Sequence, residues 1–181
     1  MSSRFRSLVL AVCGIAALVV STPAAVAAPV QPAASPSSSA KAAPGKSVAV
    51  LYFVENANSS KCLLVRGNAN GAPVVQTQCA YYPDQYWSLV DKGGSRYQLV
   101  NYNSGKCLLV QGGADNAPAV QYTCLDFVDQ YWQRIDKGGS RYQLRNVNSG
   151  KCLLVRGDGE AAQVVQFTCL DFPDQYWGFT W

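Results

Sequence analysis

A unit of 45 residues occurs three times in this 181-residue chain, and that repetition limits the possible folds more than any other feature. Cys62, Cys107 and Cys152 are 45 residues apart, and Cys79, Cys124 and Cys169 keep the same step. Gln-Tyr-Trp recurs at 85–87, 130–132 and 175–177, and Tyr52, Tyr97 and Tyr142 follow the same period. Residues 92–136 and 137–181 agree at 30 of 45 positions. The repeats run 47–91, 92–136 and 137–181. A unit this short cannot enclose a core alone, so each must bury its apolar face against its copies.

The second repeat contains four strand-like runs, Tyr97–Asn101, Lys106–Val110, Ala119–Cys124 and Gln130–Ile135. Asn103-Ser104-Gly105 and Lys137-Gly138-Gly139-Ser140 supply turn signals between such runs. No stretch keeps helical periodicity over three turns. Twelve strands in three units leave two architectures. A propeller shares the period but has about four to eight blades. Three units therefore predict an all-β chain folded as a β-trefoil, a closed barrel capped by three hairpins.

Six cysteines lie in the repeats, and symmetry reduces their possible pairings to a few. Pairing within a repeat joins Cys62–Cys79, Cys107–Cys124 and Cys152–Cys169, each over a step of 17 residues. Loops of about that length contribute roughly 3 kcal/mol each in the chain-entropy model. Pairing across repeats would span 28 residues and leave the outermost cysteines to close the whole domain. The within-repeat set is the preferred one.

The N-terminal quarter reads differently. Arg4 and Arg6 precede an apolar stretch, Leu8 to Val20, which Ser21-Thr22-Pro23 breaks ahead of Ala25-Val26-Ala27. That is the pattern of a cleaved signal peptide over residues 1–27. A membrane span needs about 20 apolar residues, more than this run supplies. Residues 28–46 are rich in Pro, Ala and Ser, cannot bury a core, and are expected to be a disordered linker. An even cysteine count after export points to disulfides in a secreted, extracellular protein.

Composition removes several functions. The chain has no histidine, which excludes His-dependent triads and His-ligated zinc sites. Cleavage would leave 13 basic and 11 acidic side chains, too balanced for a nucleic-acid partner. No cofactor or metal is implied, no membrane contact follows cleavage, and a monomer is expected. Asp115-Asn116 and Asp158-Gly159-Glu160 are loop acids without calcium-loop spacing.

The motifs Ser-Ser-Lys-Cys-Leu-Leu-Val at 59–65 and Ser-Gly-Lys-Cys-Leu-Leu-Val at 104–110 and 149–155, each followed by Asp-Gln-Tyr-Trp, resemble the ricin-type β-trefoil lectins. The resemblance covers about Val48 to Trp181. It implies a non-catalytic carbohydrate-binding module with a glycan or polysaccharide partner. It also implies that Trp87, Trp132 and Trp177 are core and that the Gln before them satisfies backbone groups. Tyr97 and Tyr142 are expected in the core as well.

The sugar pocket of that family uses an aspartate two residues after the first cysteine, an aromatic platform two before the second, and an Asn before Gln-x-Trp. A carboxylate accepts charge-assisted bonds from adjacent hydroxyls, while a ring packs on the apolar face of the sugar. Here the aspartate position holds Leu64, Leu109 and Leu154, the platform Thr77, Tyr122 and Phe167, and the Asn position Asp84, Asp129 and Asp174. A carboxylate relocated across the pocket gives two candidate sites: Tyr122, Asp129 and Gln130, then Phe167, Asp174 and Gln175. The competing reading has those aspartates merely capping turns. Repeat 1 should bind most weakly, because Thr77 offers no ring. Asp126-Phe127, Asp171-Phe172 and Tyr81-Tyr82 are read as solvated loops with a buried aromatic, and Arg66 and Arg156 as solvated. Two further functions compete with the lectin: a scaffold or inhibitor-like trefoil that has lost sugar binding, and a glycosidase with paired carboxylates. The glycosidase fits worst, since most acids recur with the repeat.

Overall fold

The computed structural model describes residues 49–181, so the signal-peptide and linker readings lie outside the described residues. Twelve strands follow in three sets of four. They are β1 (Leu51–Asn56), β2 (Lys61–Val65), β3 (Val74–Gln78), β4 (Tyr86–Asp91), β5 (Arg96–Asn101) and β6 (Cys107–Val110). The remainder are β7 (Ala119–Tyr122), β8 (Trp132–Asp136), β9 (Arg141–Asn146), β10 (Cys152–Val155), β11 (Val164–Phe167) and β12 (Tyr176–Thr180).

Six strands close a ring. β1 pairs with β4, β4 with β5, β5 with β8, β8 with β9, β9 with β12, and β12 returns to β1, all antiparallel. Closure leaves the barrel without a free edge. The hairpins β2–β3, β6–β7 and β10–β11 meet over one end through bridges Pro73–Val120, Val75–Gln163 and Pro118–Val165. The Gln163 side-chain nitrogen lies 2.9, 3.1 and 3.0 Å from the carbonyl oxygens of Val74, Ala119 and Val164. Those carbonyls occupy one position in each repeat, so this amide marks the pseudo-three-fold axis. The β-trefoil is the fold of this chain.

The core is the set of repeated apolar positions. Val54, Leu99 and Leu144 from the barrel meet Leu63, Leu108 and Leu153 from the hairpins, together with Trp87, Trp132 and Trp177. Each indole nitrogen donates to a hairpin carbonyl, Leu63, Leu108 or Leu153, at 2.9–3.0 Å. This satisfies the one polar atom of each buried ring. The disulfides join Cys62–Cys79, Cys107–Cys124 and Cys152–Cys169, as the repeat symmetry predicts.

Some local expectations shift. The last run of repeat 2 begins as a strand at Trp132, not at Gln130, because Val128–Gln130 forms a single 3-10 turn. Tyr97 and Tyr142 are half-buried, not core. Near Tyr142 the Arg134 guanidinium lies 4.1 Å from its ring centroid and 4.6 Å from that of Phe179. A cation with its hydration partly retained suits a barrel mouth better than a sealed interior.

Candidate functional site

Repeats 1 and 2 each build a cleft between the hairpin and the loop after the second cysteine. In every repeat a 3-10 turn (Pro83–Gln85, Val128–Gln130 or Pro173–Gln175) returns that loop to the barrel. The central residue of the turn is the aspartate, and a buried asparagine of the next repeat holds it. Asn101 Nδ2 donates to the Asp84 carbonyl at 2.8 Å, Asn146 to Asp129 at 2.8 Å, and Asn56 to Asp174 at 2.9 Å. These bonds fix the backbone of an aspartate that is half-buried in every repeat.

The glutamine that follows closes the loop from below. Gln130 Oε1 accepts from the Leu125 N–H at 2.8 Å and from Gln98 Nε2 at 3.2 Å, while its Nε2 donates to the Thr123 carbonyl at 2.9 Å. Gln175 repeats the pattern with Leu170, Gln143 and Thr168. Both are buried, and both ends of each amide are spent inside the fold. Gln130 and Gln175 therefore shape the cleft floor, and the sequence expectation that they meet a ligand is corrected to that supporting role.

The cleft of repeat 2 measures about 190 Å³ and is lined by Leu109, Gln111, Tyr122, Phe127, Asp129 and neighbouring residues. Tyr122 is 36 % exposed and Phe127 61 %. One carboxylate oxygen of Asp129, Oδ1, is buried without a hydrogen-bond partner, and Oδ1 of Asp174 is in the same condition. A buried acceptor left unpaired carries a desolvation cost.

Repeat 1 has the larger cleft, about 370 Å³, lined by Leu64, Arg66, Thr77, Tyr82 and Asp84 among others. Thr77 lacks a ring, and its hydroxyl is engaged by Glu160. Tyr82, Phe127 and Phe172 occupy equivalent positions and all are exposed. The expectation of a buried aromatic in this loop is therefore overturned: the loop is held by its glutamine, so its ring stays outside. In repeat 3 the Arg156 guanidinium lies 4.7 Å from the Phe167 ring centroid, and the arginine stays exposed to solvent as expected. Leu64, Leu109 and Leu154 are all buried, which fills with hydrocarbon the place of the family's aspartate.

Other acids hold the repeats together. Asn70 Oδ1 accepts from the Thr123 N–H at 3.0 Å, Asp115 Oδ1 from Thr168 at 2.9 Å, and Glu160 from Gln78 at 3.2 Å. Each latch reaches from one repeat to the next, closing a circle of three. Lys61 pairs with Glu160 at 2.7 Å, and Lys151 with Asp115 at 2.6 Å. Lys61, with help from Thr77 and the Gln78 N–H, lowers the Glu160 carboxyl from 4.5 to about 2. Within repeat 2 Asp126 pairs with Lys92 and Tyr131, and within repeat 3 Asp171 pairs with Lys137 and Tyr176. Lys92 and Lys137, followed by the tyrosines, hold these two carboxyls below the ordinary range. Among the described residues no three Cys, Asp or Glu side chains gather as a metal site.

Residues 51–177 match the model of the ricin-type beta-trefoil lectin domain. The chain belongs to that family. The designed three-fold symmetric protein ThreeFoil is 32 % identical, with a TM-score of 0.71 over 72 % of this chain and 97 % of its own. The Clostridium thermocellum exo-beta-1,3-galactanase 1,3Gal43A is 28 % identical with a TM-score of 0.71, over 75 % of this chain but 30 % of the galactanase. The Macrolepiota procera ricin B-like lectin, solved in complex with lactose, shares the fold at 17 % identity and a TM-score of 0.64, over 74 % of this chain and 96 % of the lectin. A search of curated protein sequences finds no match.

Proposed function

We propose that this protein is a secreted, non-catalytic carbohydrate-binding module whose best-formed site is the repeat 2 cleft. The carrying observation is the half-buried Asp129 carboxylate, which lines a cleft whose walls include two exposed rings, Tyr122 and Phe127. The carboxylate accepts from sugar hydroxyls, and the rings pack on C–H faces. Asp174 and Phe167 form the equivalent pair in repeat 3, where a ligand must share or displace Arg156. Several shallow sites on one body suit a branched or repetitive glycan, because linked sites gain avidity without new contacts.

A non-catalytic role is supported by the distribution of acids. Asp115, Asp126, Asp171 and Glu160 are committed to lysines, and a single aspartate, Asp84 or Asp129, lines each of the two clefts. Hydrolysis by paired carboxylates needs two acids across one bond. Export is supported by three disulfides, which persist in oxidising compartments. The buried leucines favour a second reading, a trefoil scaffold without sugar binding. A glycan array probed with the purified protein decides between them. Retention on at least one glycan class is the expected result, and a blank array from folded protein would move the account to the scaffold.

A further inference from the structure

Repeat 1 breaks the three-fold pattern at several positions together. In the other two repeats these positions form a charged clasp, in repeat 2 with Asp126 bonded to Lys92 and Tyr131, and Arg96 5.5 Å from the Tyr131 ring centroid. Asp171, Lys137, Tyr176 and Arg141 repeat it. In repeat 1, Tyr81 stands at the aspartate position, Leu51 at the arginine position, and Phe53 at that of Gln98. An aromatic cluster replaces the clasp. Phe53 lies 5.7 Å from Tyr81 and 4.5 Å from Tyr86, centroid to centroid.

The cluster borders a groove of about 220 Å³ lined by Phe53, Cys79, Ala80, Tyr81, Thr180 and Trp181. Tyr81 is 87 % exposed and Trp181 91 %. Ala80 lines both this groove and the repeat 1 cleft, and the adjacent Tyr81 and Tyr82 line one each. Groove and cleft thus share a wall along a single loop. In repeats 2 and 3 the lysine–aspartate pairs occupy the corresponding path.

Resting on the carbohydrate-binding reading above, we propose that repeat 1 binds an oligosaccharide chain across cleft and groove. One sugar sits at Arg66 and Tyr82, the next stacks on Tyr81, and a further unit reaches Trp181, whose ring meets Tyr52 edge-on at 6.5 Å between centroids. Exposed rings beside the Thr180 and Tyr81 hydroxyls suit a ligand with apolar faces and a hydroxylated edge. A purely apolar partner would leave those hydroxyls unpaired on binding. Repeat 2, closed beyond Leu125 by the Asp126 clasp, takes a single terminal sugar.

The tryptophans provide a probe. Trp87, Trp132 and Trp177 are fully buried, so acrylamide quenching of emission reports on Trp181. Galacto-, xylo- and cello-oligosaccharides of one to six units would be titrated against the full chain, with affinity and quenching followed together. Oligosaccharides of at least one series should shield Trp181 and bind about three- to tenfold tighter than the monosaccharide. Trp181→Ala and Tyr81→Asp should each abolish that gain and leave monosaccharide binding intact. Tyr81→Asp restores the residue of the other repeats, which guards against misfolding as the explanation. Monosaccharide binding with no length dependence, or a length dependence unchanged in both variants, overturns the groove. Shielding of Trp181 by an apolar peptide and by none of the saccharides overturns it as well. Loss of all saccharide binding, monosaccharides included, overturns the carbohydrate-binding reading itself.

Discussion

The Arg156 guanidinium lies 4.7 Å from the centroid of the Phe167 ring, and its Nε and Nη2 both donate to Asn116 Oδ1 at 3.2 Å. Gln111 holds the equivalent position in repeat 2, where Tyr122 borders an open cleft. One substitution between repeats therefore decides whether an aromatic platform is free or already stacked.

Arg156→Gln should uncover Phe167. An exposed stack of this kind is worth about 0.5–1 kcal/mol, so a neutral sugar that must displace it should bind repeat 3 about two- to fivefold tighter in the variant. Titration calorimetry in an Asp129→Ala background silences repeat 2, and comparing proteins with and without Arg156→Gln in that background cancels any binding by repeat 1. Unchanged or weaker binding would show that the guanidinium helps to hold the ligand.

Gln130→Ala should destabilise the fold, because the Leu125 N–H, the Thr123 carbonyl and Gln98 all lose a buried partner. The expected loss is about 2–4 kcal/mol, a fall in Tm on the order of 10 °C. Thermal denaturation checks it, and a shift of only a degree or two would mean that water replaces the amide.

Acid should loosen the circle of latches. Glu160 is held at about 2 against an ordinary 4.5, by Lys61 first and then Thr77, so its ionised form is favoured in the fold. Its contribution is complete above about pH 4.5 and is lost as pH falls toward 2. Asp115, Asp126 and Asp171, lowered chiefly by their lysines, act in the same direction. Glu160→Gln should lower Tm at neutral pH, and the gap from wild type should close as pH drops through that window. A gap that stays constant with pH would remove the charge from the explanation.

The period of 45 residues made the barrel, the caps and the disulfides legible, because burial in a trefoil recurs with the repeat. What escaped was the direction of side chains on loops, where no periodicity constrains them. Phe127 and Phe172 read as buried because they are large and apolar, yet Gln130 and Gln175 pin the loop and leave the rings outside. Asp115 and Glu160 read as loose loop acids, although their 45-residue step matched that of Asn70 and could have exposed the latches. The stacking of Arg156 had no signal beyond its difference from Gln111. Asp129 and Asp174 were singled out because they stand where the related motif places a polar residue.

Asp129→Ala with Asp174→Ala should eliminate glycan retention in repeats 2 and 3 and leave the fold unchanged by circular dichroism. Losing a charged hydrogen-bond partner costs about 1.5–3 kcal/mol, roughly ten- to a hundredfold in affinity. Retention equal to wild type would return both aspartates to a purely structural role.

The most direct test of sugar recognition is a nuclear magnetic resonance titration of isotope-labelled protein with galactose and lactose. Tyr122, Phe127 and the Asp129 amide should shift together and saturably, while the buried indoles of Trp87, Trp132 and Trp177 stay fixed. If every resonance around Asp129 is unmoved by either sugar and by each glycan of an array, these clefts do not bind carbohydrate.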